Sequence, residues 1–166
     1  AAALGTAGFR VVCVDPAPPV TDAAADDADL RTTAFLQPAV RVLKEAGLWD
    51  RLAPHAAALQ VMRIVDAGGP DPVARRVKDF DAAEISDQPF GWNLPNWLLR
   101  REMVARLAEL PSVSFRPGAG FARMLVRDAG ALVTLSDGAQ VAARLVIGAD
   151  GRLSPVREAL GIGTRT

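Results

Sequence analysis

The 166 residues carry 19 basic and 19 acidic side chains, so the formal charge is zero, and half of the residues are apolar. That length suits one ordinary core, the balanced charge does not suggest a polyanion partner, and no run of about 18 apolar residues is present to span a membrane. One cysteine, Cys13, and one histidine, His55, exclude an internal disulfide, a thiolate zinc site and an imidazole metal cluster. The first stretch has neither a basic region nor a small-residue cleavage site, so a cytoplasmic address is the default expectation.

Residues 1–8 (AAALGTAG) favour helix and end in a glycine suited to a helix C-terminus, so the chain is expected to open inside a helix that has lost what preceded it. Residues 9–15 (FRVVCVD) form an apolar strand ending in Asp15, followed by the breakers PAPP. In outline this is the second strand of a nucleotide-binding βαβ unit, in which an acid about 20 residues after a glycine turn bonds ribose hydroxyls. That offset requires a GxGxxG turn shortly before Ala1. Strands also commonly end in Asp, so on this segment alone both readings of Asp15 stand.

Residues 19–29 are polar, acidic and without period, and read as a loop. Pro38 fits only a first helical turn, which predicts a helix over 37–46 with Ala39, Val40, Leu43 and Ala46 on one face and Gly47 closing it. Arg31 stands in the loop before it. Residues 59–66 (LQVMRIVD) alternate as a half-buried strand, AGGPDP turns, and ARRVKDF returns as a second strand. Phe80, Phe90 and Trp92 are expected in the core rather than against a substrate.

Asn96 is expected to cap a helix over 97–110 whose Leu99, Met103, Leu107 and Leu110 share a face. Arg100 and Arg101 lie in its first turn, where the helix field favours anions, so an anionic partner would account for a cation there; Arg101 reads as a solvated charge. From Ser112 onward SVSF, ARMLVRD, ALVTLSD and VAARLVIG read as a meander of short strands, with turns at DAG and SDG. The meander leads into LVIGADGRLSPVR (145–157). Val146 and Ile147 are expected in a buried strand, and Gly148 and Gly151 bracket Asp150 so that the backbone can take positive φ or approach a ligand. Ser154 caps a helix with Pro155 at its first position. Free N–H groups there, beside Arg157, would suit a pyrophosphate. A bare GADG is also an ordinary strand-to-helix turn.

The longer pattern, GADGRLSPVR, resembles the Asp-Gly, Ser, Arg motif of the FAD-dependent aromatic hydroxylases, a family of flavoprotein monooxygenases. DLRTTAFLQPAVRVLKEAGLWDRL and FDAAEISDQPFGWNLPN are similar to its ubiquinone-biosynthesis hydroxylase subgroup. The resemblance implies an α/β chain with an incomplete Rossmann-like FAD-binding fold and an inserted β-sheet substrate region. Residues 1–166 would be a single partial FAD-binding domain, an N-terminal fragment, with 57–95 contributing to the substrate-side sheet. It implies FAD and NAD(P)H as cofactors and oxygen transfer from O2 to a phenolic or polyprenyl-phenol substrate. Asp15 would meet the ribose; Arg31, Asn96 and Arg100, the last three residues before Met103 and seven before Leu107, would meet phosphate or flavin. Gly148, Asp150, Gly151 and Arg157 would line the pyrophosphate side. No side chain is assigned as catalytic and none as a metal ligand. A small phenolic substrate is the expected partner, no nucleic acid is expected, and peripheral association of the full-length protein with the inner membrane and its oligomeric state stay open. The sequence departs from the family in lacking the GxGxxG turn and the later Gly-Asp-Ala ribityl segment, so an inactive FAD-binding fragment is one alternative. A flavin-dependent prenyl reductase is another. A simple Rossmann NAD-dependent dehydrogenase would not explain the strand meander.

Overall fold

The computed structural model describes residues 1–69 and 73–163. In chain order its elements are α1 (Ala2–Thr6), β1 (Val11–Asp15), β2 (Thr32–Leu36), α2 (Gln37–Glu45), α3 (Trp49–Leu52), β3 (Ala57–Leu59), β4 (Val61–Asp66), β5 (Arg76–Asp81), β6 (Gly91–Pro95), α4 (Asn96–Ala108), β7 (Val113–Pro117), β8 (Phe121–Arg127), β9 (Gly130–Leu135), β10 (Gln140–Ala143) and α5 (Pro155–Ala159). This mixed α/β chain divides into two compact units, one holding Ala3–Pro19 and the residues from Leu107 onward, the other Val20–Arg106.

In the first unit β1 and β7 run parallel, from Val11 opposite Val113 to Asp15 opposite Pro117. Gly5 of α1 makes room for this pair, because a Cβ there would collide with the Val113 side chain. β8, β9 and β10 form an antiparallel meander with β9 in the middle. Alternation along β9 turns Val133 and Leu135 into a core with Ala119, against which Val14, Phe121, Met124, Val141 and Val146 pack. Residues 112–115 do not belong to the meander, since β7 takes its hydrogen bonds from β1. Residues 145–147 are not a buried strand: β10 ends at Ala143, and Leu145 and Ile147 are 71% and 60% exposed. An apolar run becomes a strand only where a neighbouring strand satisfies its backbone groups, and none pairs with it among the described residues.

In the second unit β6 is the central strand between β2 and β3, antiparallel to both. Leu52, Leu94 and Leu98 are its most deeply buried side chains, joined by Val40, Leu43, Ala46 and Leu48, so the predicted inward face of the 37–46 helix is the observed one. Gly47 closes α2 with φ of 69°, and the Arg106 Nε donates to the Ala46 carbonyl at 3.1 Å, satisfying a group the helix end leaves open. Trp49 meets Trp92 edge to face at 5.1 Å.

Residues 32–36, where no strand is predicted, form β2 because β6 takes up their backbone groups. The predicted strand over 59–66 breaks at Gln60 into β3 and β4. β4 pairs with β5 as expected, yet it is exposed along its whole length rather than half-buried, and so is β5. Phe80, expected in the core, is 37% exposed at the end of this ribbon, with the Lys78 ammonium 5.6 Å from its ring centroid. The AGGPDP turn includes residues 70–72, which lie outside the described residues. The helix expected over 97–110 is α4, and it buries Leu98 as well as Leu99 and Leu107, while Met103 is half-buried.

Candidate functional site

The register of two strands assembles the first cluster. β2 and β6 pair Thr32 with Pro95, and the Asn96 N–H continues the ladder to the Arg31 carbonyl at 2.9 Å, so Arg31 and Asn96 come side by side. α4 starts at Asn96, and Arg100 follows one helical turn later on the same face. Asp29, two residues before Arg31, folds back on it. Its Oδ1 accepts the Arg31 backbone N–H at 3.2 Å, and the Arg31 guanidinium grips the carboxylate as a fork, Nε to Oδ1 at 2.8 Å and Nη2 to Oδ2 at 2.9 Å.

Two further donors reach the same oxygen, Asn96 Nδ2 at 3.0 Å and Arg100 Nη2 at 3.3 Å. The Thr33 hydroxyl donates to Asn96 Oδ1 at 2.6 Å, which orients the amide so that its nitrogen faces Asp29. Asp29 is 11% exposed as a side chain, whereas Arg31 is 83% and Arg100 is 41% exposed. The Arg31 guanidinium first, and then Asn96, hold the Asp29 carboxyl well below the usual carboxylate range. Two cations around one carboxylate leave one positive charge in excess, on side chains that face solvent.

Arg31, Asn96 and Arg100 are therefore brought together, by Asp29 and Thr33, neither of which the sequence reading singled out. The available signal was the Asp-x-Arg spacing, since an Asp side chain readily accepts the backbone N–H two residues on. Asn96 is the first residue of α4 rather than the cap before it, and its side-chain amide is engaged by Thr33 and Asp29. Arg101 is not simply a solvated charge: it lies over the Trp97 ring at 5.2 Å and donates to Glu102 at 2.9 Å.

The second group lies in the first unit. Gly151 has φ of 86°, a left-handed conformation that favours glycine. Gly148 serves close approach instead, since a Cβ there would lie 3.2 Å from Val156 Cγ1. Ser154 caps α5 as predicted, its Oγ accepting the Arg157 N–H at 3.0 Å. The expectation of free N–H groups at this helix start is corrected, because Asp150 Oδ2 accepts the Val156 N–H at 3.1 Å. A carboxylate six residues back meets the donors that the first turn leaves open. Hydrogen bonding from the Ser154 hydroxyl, then from the Val156 backbone, lowers the Asp150 pKa. The Arg157 Nη1 donates to the Arg152 carbonyl at 2.7 Å, while its Nε is buried without a partner. Asp15 ends β1, and its Oδ1 accepts the Ala17 N–H at 3.0 Å, shaping the turn into the prolines.

An open groove of about 640 Å³ beside the turn from β8 to β9, lined in part by Met124, Arg144, Val146 and Leu160, includes none of these residues. Among the described residues no group of three His, Cys, Asp or Glu side chains is placed to hold a metal ion, and no helix is long and apolar enough to cross a membrane. The donors of the first cluster, guanidinium N–H groups and an amide, are of the kind that binds phosphate oxygens, and an unpartnered buried Arg157 Nε is a further donor in the second group. These donors fit a phosphate-bearing cofactor.

A family model described as FAD binding domain matches residues 1–166. The ubiquinone hydroxylase UbiL of Rhodospirillum rubrum is 38% identical over 166 residues, which cover all of this chain and 37% of that protein. The 3-demethoxyubiquinol 3-hydroxylase of Escherichia coli K12 is 32% identical over 174 residues, 98% of this chain and 41% of that protein. The chain thus spans about two fifths of the length of these curated relatives. Among solved structures, a variant of Pseudomonas aeruginosa PqsL superposes with a TM-score of 0.75 at 24% identity, covering 99% of this chain and 42% of that one. The p-nitrophenol 4-monooxygenase PnpA of Pseudomonas putida DLL-E4 gives 0.74 at 23% identity, over 96% and 39%. These two likenesses are of fold, whereas the family model matches every residue: the chain belongs to the FAD binding domain family.

Proposed function

We propose that the chain is the FAD-holding part of a monooxygenase that hydroxylates a phenolic or polyprenyl-phenol substrate with NAD(P)H and O2. The observation that carries this reading is the convergence of Arg31, Asn96 and Arg100 on Asp29, which leaves guanidinium edges and one surplus positive charge facing outward. The identity over all or nearly all of the chain to two hydroxylases whose names specify ubiquinone chemistry supports the substrate class.

In this reading Arg31 and Arg100 hold the pyrophosphate or the flavin, Asn96 orients them, and Asp15 meets the ribose. Asp150, with Gly148 and Gly151, shapes the turn that presents the start of α5 to the cofactor, and Arg157 contributes the donor left over at its Nε. The exposed ribbon of β4 and β5 lies on the substrate side. The chemistry that FAD supplies is hydride acceptance from NAD(P)H and activation of O2; the side chains named here bind and orient. Residues 1–166 act as one FAD-binding domain in this scheme, with 57–95 as its substrate-side part.

The test is purification and spectroscopy followed by turnover. The purified protein should carry flavin absorbance, and NAD(P)H oxidation should rise on adding a phenol, with matching O2 uptake. Flavin with substrate-dependent NAD(P)H oxidation but no O2 uptake would instead identify a reductase, and absence of flavin binding would remove the proposal.

A further inference from the structure

We infer that Asp29 is the positioning residue of the cofactor site, a largely covered carboxylate that sets the direction in which Arg31 presents its remaining donors. The inference rests on the FAD reading above. A guanidinium has five N–H donors in a rigid plane. Asp29 engages Nε and one hydrogen of Nη2, which leaves Nη1 with both hydrogens and the far edge of Nη2, on a side chain that is largely exposed. A free arginine at the edge of a loop samples many rotamers, and the loss of that freedom would otherwise oppose ligand binding. The fork removes it beforehand.

The carboxylate is itself fixed from a second element. Asn96 donates to Oδ2 from the start of α4, and the Thr33 hydroxyl fixes which end of the Asn96 amide faces Asp29. Arg100 meets the same oxygen, so one acidic group aligns two cations that belong to a loop and a helix. Thr33, Asn96, Asp29 and Arg31 thus form a relay in which each of these donors has an acceptor.

The sign of one substitution separates this role from its opposite. If Asp29 merely competed with the phosphate for the arginines, Asp29→Asn would remove a nearby negative charge and FAD would bind more tightly. If Asp29 positions Arg31, the same change breaks the fork, since an amide nitrogen cannot accept from a guanidinium, and FAD should bind about tenfold more weakly.

The measurement is the FAD dissociation constant of the full chain, by titration calorimetry or flavin fluorescence, for wild type, Asp29→Asn, Arg31→Lys and the double variant. A lysine in place of Arg31 keeps the charge without the fork, so Asp29→Asn should cost clearly less in that background, only its contact to Arg100 remaining to be lost; a merely structural Asp29 would cost the same in both. Weaker binding in each single variant with a non-additive double establishes the role. Tighter or unaltered binding in Asp29→Asn, while Arg31→Lys weakens it, overturns the role and leaves the FAD reading standing. Wild-type protein that binds no FAD overturns both. Should Asp29→Asn fail to fold, Thr33→Val keeps the β-branched shape on β2 and removes only the hydroxyl; binding about two- to threefold weaker is expected, and unaltered binding refutes the relay.

Discussion

Gly91→Ala tests whether the β2 and β6 register is what stabilises the second unit. Gly91 is buried and sits opposite both Leu36 and Leu59 in the central strand. A Cβ there would overlap the Phe35 carbonyl oxygen and lie 2.8 Å from Leu36 Cα, where ordinary contact begins at 3.4 Å. The obstructing atoms are backbone, so no side chain can rotate away, and the strands must part by at least the difference between those two distances, about 0.6 Å, where neighbouring strands normally lie about 4.8 Å apart. Overpacking of this kind costs typically 1–3 kcal/mol, and a backbone obstacle places it near about 3 kcal/mol. For a chain of this size that corresponds to a fall in Tm of about 6–12 °C. Gly118→Ala is the comparison: its φ of 86° strains an alanine, but nothing lies within 4 Å of the added carbon, so about 1–2 kcal/mol is expected from conformation alone. Urea denaturation of both variants measures the two costs. A Gly91→Ala loss smaller than that of Gly118→Ala would refute the steric argument. At low temperature, where the folded form persists, FAD affinity should be nearly unchanged, because Gly91 pairs with Leu36 at the end of the ladder remote from Thr32 and Pro95, next to which the Asp29 cluster forms.

Ser154→Ala removes the acceptor for the Arg157 N–H and should cost about 1 kcal/mol of stability, read by thermal melting, with the Asp150 pKa rising toward its ordinary value in a carboxyl NMR titration because the Ser154 hydroxyl is the leading cause of its depression. Asp29 has a folded pKa below its unfolded one, so its contribution is complete above the unfolded value of about 4 and is lost as pH falls through the folded value. Melting temperature should therefore decline more steeply below about pH 4 in wild type than in Asp29→Asn, and parallel declines would refute the assignment. Asp150→Ala frees the Val156 N–H and loosens the turn from Gly148 to Gly151, so FAD retained through gel filtration should fall; unchanged flavin occupancy would exclude Asp150 from the site.

What could be read in the sequence was set by interactions between near neighbours. Pro38 and Gly47 bound α2, and Ser154 and Pro155 start α5, because capping and proline geometry act over a few residues. The hairpin turns at Gly130 and Gly138 were legible for the same reason, and both glycines take positive φ. The failures occur where the partner is distant or unmatched. Residues 32–36 carry no alternation to mark them as a strand and become one only because β6, some sixty residues later, pairs with them. Leu145 to Ile147 carry the composition of a strand and do not form one, since composition supplies no hydrogen-bond partner.

The same division runs through the site. Arg31, Asn96 and Arg100 could be named from resemblance and local helix electrostatics, but the atoms that join them could not, because Asp29 reaches Asn96 and Arg100 across 67 and 71 residues. Asp150 shows the converse. Its helix start has the sequence of a site open to an external anion, yet the chain supplies its own carboxylate six residues earlier. An anion that binds there must coexist with Asp150 or displace it, whereas one that approaches Arg31 meets a carboxylate already outnumbered by two cations. The Asp29 cluster thus offers an incoming phosphate a surplus of positive charge, whereas at the start of α5 the Val156 and Arg157 N–H groups are already taken by the chain's own acceptors.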